Sequence, residues 1–177
     1  IKLASKSPRR HQLLRNIIKD FEIVSKEIDE SYPKSLKSSE IALYLANLKA
    51  KSYEKEAKEN QLYITADTIV VYQQKVLGKP KNEKDAFNML QELSGKTHRV
   101  YTGVSLLFNG EINSFVDATE VTFYDLSEDE IKFYIEFLNS LGIPSLKITN
   151  YILSLNSKSS KLIEDFKLWS KGWFSVD

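Results

Sequence analysis

Leu62-Tyr63-Ile64-Thr65-Ala66-Asp67-Thr68-Ile69-Val70-Val71-Tyr72 is the stretch from which the fold is read. Its apolar, β-branched character predicts a buried strand. Gln73-Gln74-Lys75 follows as a turn, then a short return strand, Val76-Leu77, before Gly78-Lys79-Pro80. Asp67 is out of place in this run. Aspartate is poorly suited to strands, and burying a carboxylate is costly unless it is paired or holds a metal. A bulge or a structural ion pair accounts for it. A functional carboxylate at a strand end facing a cleft accounts for it better, because perturbed acids concentrate at sites.

Upstream, Ile1 to Ala4 reads as a strand leading into Ser5-Lys6-Ser7-Pro8, and a helix follows with Leu13, Leu14, Ile17, Ile18 and Phe21 at helical spacing. Phe21 to Ile28 alternates like a strand, Asp29 to Lys37 is a polar loop, and a second helix runs from about Ser39 to Lys58. Downstream, Asn82 caps a third helix that Ser94-Gly95 ends. Val100 to Phe108, the Asn109-Gly110 turn and Ile112 to Tyr124 make an antiparallel section. Ser127-Glu128-Asp129-Glu130 is a capping box opening a fourth helix through about Leu138. The expected class is α/β, with a mixed, curved central sheet flanked by helices and two lobes around a cleft.

The chain of 177 residues fits one domain, 42% hydrophobic and 28% charged. Lys plus Arg number 25 against 24 acids, a net charge of +1, which argues against a dedicated nucleic-acid binder. Cysteine is absent, and His11 and His98 lack zinc-ligand spacing. No apolar run approaches the ~20 residues of a membrane span and no signal peptide is evident, so no membrane association is expected and the cytoplasm is the default.

Ser7 fits an N-cap and Pro8 the first helical position, which puts Arg9 and Arg10 in the first turn. The helix dipole is positive there and disfavours each cation by ~0.3–1 kcal/mol. A phosphate reverses the sign, because free N–H groups, the Ser5 and Ser7 hydroxyls and two guanidiniums converge on it. Arginines pointing into solvent explain the same residues equally well. Lys49 sits at the edge of the stripe made by Ile41, Leu45 and Leu48, where a snorkelling lysine is the simpler account. Lys79 in Gly78-Lys79-Pro80 and Glu30 in Ile28-Asp29-Glu30-Ser31 are weak signals singly, and His98 reads as structural. Together the cations and carboxylates suit phosphate-ester chemistry with Mg²⁺ or Mn²⁺ as cofactor, since hard cations take oxygen ligands. Neither a Walker A motif nor a dinucleotide-binding glycine fingerprint is present.

The sequence resembles the Maf (septum-formation) family of nucleoside-triphosphate pyrophosphatases. Leu3-Ala4-Ser5-Lys6-Ser7-Pro8-Arg9-Arg10, Asp29-Glu30, Leu45-Ala46-Asn47-Leu48-Lys49-Ala50, Ile64-Thr65-Ala66-Asp67-Thr68-Ile69-Val70, Leu77-Gly78-Lys79-Pro80 and Leu93-Ser94-Gly95-Lys96-Thr97-His98 match its motifs in order. The resemblance implies hydrolysis of dTTP or UTP to the monophosphate and pyrophosphate as nucleotide-pool house-cleaning. It implies Asp67 as general base, Glu30 with Asp67 at the metal, and Ser5, Arg9, Arg10, Lys49 and Lys79 on the phosphates. Arg9 after the proline and Thr68 after Asp67 point to the branch acting on dTTP and UTP. A homodimer is the assembly it suggests. The rival reading is a nucleotide-binding regulator of cell division without turnover.

The resemblance covers residues 1–136 of a single domain spanning 1–177. From 137 onward the chain reads Phe137-Leu138-Asn139-Ser140-Leu141-Gly142-Ile143-Pro144, without the family's next motif, and 137–177 is a divergent segment.

Overall fold

The computed structural model describes residues 1–140, so the divergent segment lies, from residue 141 onward, outside the described residues. The elements in chain order are β1 (Lys2–Ala4), α1 (Pro8–Arg15), β2 (Glu22–Val24), α2 (Ser38–Lys51) and β3 (Leu62–Tyr72), then β4 (Lys75–Leu77), α3 (Glu83–Leu93), β5 (Thr97–Phe108), β6 (Glu111–Thr122) and α4 (Glu128–Ser140). One six-stranded sheet has the order β2-β1-β3-β5-β6, with β4 also paired to β3. β1 runs parallel to β2 and β3, whereas β4 and β5 run antiparallel to β3. The fold is therefore the expected mixed sheet flanked by helices. Among the described residues no helix is long and apolar enough to cross a membrane.

The described residues divide into two compact units, residues 1–77 with 99–119, and residues 78–98 with 120–140. In the first unit α2 lies on β3. Its Ile41, Ala42 and Leu45 pack with Ile69 and Val71, while Ala50 packs with Ala4, Tyr53, Tyr63 and Leu107. Gly103, opposite Asp67 in the β3–β5 register, makes this close approach possible, because a Cβ there would overlap the Ala42 carbonyl. Thr65 on β3 donates its hydroxyl to the Ala46 carbonyl at 2.8 Å. Asn47 accepts from Ser105 and Ser114 on β5 and β6, at 3.2 and 2.6 Å. These polar ties fix α2 along the sheet as well as against it.

In the second unit Ala86 and Leu90 of α3 pack with Ile131 and Ile135 of α4. The Asn82 side chain accepts from the Asp85 N–H, and Ser127 and Glu130 exchange the reciprocal bonds of a capping box, as their sequence signatures predict. The turns behave likewise. Gln73, Gln74, Asn109 and Gly110 all have positive φ, the backbone that two-residue hairpins require.

Three expectations are corrected. α2 stops at Lys51, seven residues early, because Ser52 turns its hydroxyl back onto the Lys49 carbonyl at 2.7 Å and Tyr53 packs on Tyr63. The strand expected over 21–28 is confined to Glu22–Val24, the length that β1 can pair. α1 stops at Arg15, so Ile17, Ile18 and Phe21 of the expected stripe lie beyond it, and α1 has no buried residue, with Leu13 54% exposed.

Candidate active site

Strand pairing sets the position of the site. On one side β5 pairs with β3 continuously from Leu62 to Val71. On the other side β1 ends at Ala4, opposite Thr65, and the antiparallel β4 ends at Leu77, opposite Val70. Residues 66–69 of β3 therefore have no strand beside them on that edge, and Asp67 lies in this opening. The carboxyl end of β1 and the start of α1 arrive at the same place, the arrangement in which open α/β sheets receive ligands.

Arg10 occupies the opening. One guanidinium nitrogen donates to the Ala66 carbonyl at 2.9 Å and the other to Thr68 Oγ1 at 3.0 Å, so the fork straddles Asp67. Burial lowers the Arg10 pKa from its ordinary value; Asp67 and Glu30 oppose that shift and Arg9 adds to it. The guanidinium stays charged, since arginine does not deprotonate in proteins.

Alternation along β3 puts Asp67 on the α2 face with Thr65 and Ile69. There its carboxylate pairs with the Lys49 ammonium, which also meets Glu30 Oε1 at 2.9 Å. The side chains of Lys49 and Asp67 are only 19% and 12% exposed, so this pair is largely withdrawn from water. Glu30 comes from the loop before α2, where Asp29 accepts from both the N–H and the hydroxyl of Ser31 at 3.0 Å. Two carboxylates thus converge on one cation position. Among the described residues no group of three His, Cys, Asp or Glu side chains is placed to hold a metal.

The turn between β1 and α1 is organised by Ser5. It is buried, accepts from the Ser7 N–H at 3.2 Å, and its carbonyl meets His11 Nε2 at 2.7 Å. A carbonyl only accepts, so His11 is the donor. Ser7 holds the N-cap position with extended backbone and makes no side-chain cap bond, and Pro8 opens the helix. The hydroxyl cap expected at Ser7 is therefore not made, and the Ser5 hydroxyl instead receives the N–H of Ser7 itself. Arg9 is exposed on the first turn beside this N-terminus.

Five sequence-derived candidates therefore meet in the first unit, Arg10, Glu30, Lys49, Asp67 and Thr68, and Ser5 and Arg9 lie in the same unit at the turn from β1 into α1. Lys79 belongs to the second unit, on the exposed loop between β4 and α3. Sequence reasoning missed His11 and Thr102. Thr102 pairs with Thr68 across the strands, their hydroxyl oxygens 3.0 Å apart, and only the β3–β5 register reveals it.

The family model described as Maf-like protein matches residues 1–143. The chain belongs to this family. Among curated Maf relatives, the dTTP/UTP pyrophosphatase of Flavobacterium johnsoniae is 40% identical, over 86% of this chain and 93% of its own. The proteins of the same name from Flavobacterium psychrophilum and Phocaeicola vulgatus are 46% and 50% identical, over 76% and 75% of this chain and 69% of their own.

Proposed function

We infer that this Maf protein hydrolyses dTTP and UTP to the nucleoside monophosphate and pyrophosphate. The observation that carries the reading is the placement of Asp67: a carboxylate in a break of the sheet edge, straddled by a guanidinium and paired with an ammonium, at the start of a helix. That combination suits attack of water at phosphorus. Asp67 takes the proton of the attacking water, the new O–P bond forms at the α-phosphorus, and the bond to the bridging oxygen of the β-phosphate breaks. Pyrophosphate leaves with the electron pair.

The N-terminal turn of α1, Ser5 and Arg9 bind the phosphates, where backbone N–H groups and the helix dipole favour anions. Lys49 balances the charge of Asp67 and Glu30 and fixes the direction of the base. Lys79 adds a cation for the triphosphate, and Arg9 and Thr68 contribute to the choice of base. The substrate pool places this work in the cytoplasm.

Glu30 and Asp67 fit a divalent metal in kind: two hard oxygen donors facing one cation position. Mg²⁺ is commonly held by one or two carboxylates with phosphate oxygens and water completing the shell. Mg²⁺ or Mn²⁺ bound there supplies charge neutralisation on the triphosphate.

The test is pyrophosphate release from a panel of nucleoside triphosphates with Mg²⁺ or Mn²⁺. Turnover restricted to dTTP and UTP, lost in Asp67→Asn, is expected. Nucleotide binding without pyrophosphate release from any of them favours the regulator and overturns the enzyme.

A further inference from the structure

The hydroxyls of Thr68 and Thr102 form a hydrogen bond in which either oxygen could donate, and the bond from Arg10 bears on the choice. They are register partners on β3 and β5, with Oγ1 atoms 3.0 Å apart. Arg10 donates to Thr68 Oγ1 at 3.0 Å. Arginine carries no acceptor, so this bond occupies a lone pair of Thr68 and uses neither hydroxyl proton. The pair has two protons and one mutual bond. One proton is left over, and no described residue accepts it.

The guanidinium decides which one. A cationic donor on Thr68 Oγ1 makes that oxygen the poorer acceptor and its O–H the stronger donor. Thr68 therefore donates to Thr102, and the spare proton is that of Thr102. The half-buried Thr102 stands with Thr68 on the sheet face opposite Asp67, because successive strand residues alternate. The pair and the Asp67 carboxylate therefore stand on opposite faces of β3.

We propose that Thr102 is a specificity-determining residue whose hydroxyl donates to the 4-carbonyl of thymine or uracil, a role resting on the dTTP/UTP reading above. Cytosine carries an amino group at that position. Two donors then face each other, so Arg10, Thr68 and Thr102 together reject CTP by polarity rather than by size. The 2-carbonyl is common to uracil and cytosine and does not distinguish them.

The experiment measures kcat/KM for UTP, CTP, 4-thio-UTP and 2-thio-UTP with the wild-type chain, Thr102→Val and Thr102→Ser. Sulfur is a poor acceptor, so the wild type disfavours 4-thio-UTP, a result that needs no variant. Thr102→Val lowers the UTP-to-CTP ratio about tenfold, the scale of one hydrogen bond, and becomes indifferent to the 4-thio group. Thr102→Ser restores the ratio, and 2-thio-UTP behaves as UTP throughout. An unchanged ratio in Thr102→Val, an equal loss for every nucleotide, or sensitivity at the 2-position overturns the proposal while leaving the enzyme reading intact. No turnover of any nucleotide by the wild type overturns both.

Discussion

Arg10 reaches from the first turn of α1 to the carbonyl of Ala66, 2.9 Å away, and stands where a neighbouring strand would otherwise pair. Its second nitrogen holds Thr68, so the residues before and after Asp67 are tied to one rigid plane. Lysine offers a point charge and cannot span both acceptors. Arg10→Lys is expected to lower kcat for dTTP by about 10–100-fold with a smaller change in KM, as misplacement of a catalytic group does. Steady-state kinetics of pyrophosphate release checks this. A change confined to KM would instead make Arg10 a simple phosphate ligand.

Lys49 and Asp67 are each other's charge partner in a largely dry place. Removing one leaves the other uncompensated, which costs about 3–5 kcal/mol. Lys49→Met is expected to lower unfolding stability by that amount and to abolish turnover. The double variant Lys49→Met with Asp67→Asn should recover much of the stability and none of the activity. Denaturant unfolding of the three variants beside the wild type measures the coupling.

Gly103 lets the α2 backbone rest against β5 beside Asp67, and a Cβ there would meet backbone rather than a side chain that can swing away. Gly103→Ala should therefore destabilise by about 1–3 kcal/mol through overpacking. Displacement of α2 carries Lys49 with it, so kcat should fall too. Equal stability of the variant and the wild type in a denaturant titration would contradict the packing described.

His98 is 2% exposed, stacked edge-on against Phe123 at 4.9 Å, and neither ring nitrogen has a hydrogen-bond partner among the described residues. Burial lowers its pKa. The native state thus binds fewer protons than the unfolded chain as pH falls below the unfolded value of about 6.5. The stability this group contributes is full above that pH and is lost on acidification, down to the depressed native pKa. His98→Leu removes two unsatisfied polar atoms, so its Tm should equal or exceed that of the wild type at pH 7.5. The gap should widen in its favour at pH 5.5. A pH-independent difference would contradict the buried neutral imidazole.

Much of this site could be read in the sequence, because its parts break local rules. Asp67 interrupts an apolar strand and two arginines oppose a helix dipole, and the structure brings Asp67 and Arg10 within one strand edge. The caps of α3 and α4 and the hairpin turns were legible because they too are local, whereas the cap expected at Ser7 is not made. The register of β3 against β1, β4 and β5 was not, and the opening at 66–69 and the Thr68–Thr102 pair follow from it alone. Periodicity also misjudged α1, since the helical spacing from Leu13 to Phe21 runs past Arg15, where the helix ends. The early end of α2 depends on where Tyr53 packs, a contact ten residues along the chain with Tyr63 that spacing does not encode.

The claim that water attacks the α-phosphorus from the Asp67 position is tested most directly by turnover of dTTP in oxygen-18 water, with mass analysis of both products. The account predicts one labelled oxygen in dTMP and none in pyrophosphate. Label in pyrophosphate, or release of labelled orthophosphate, would contradict it.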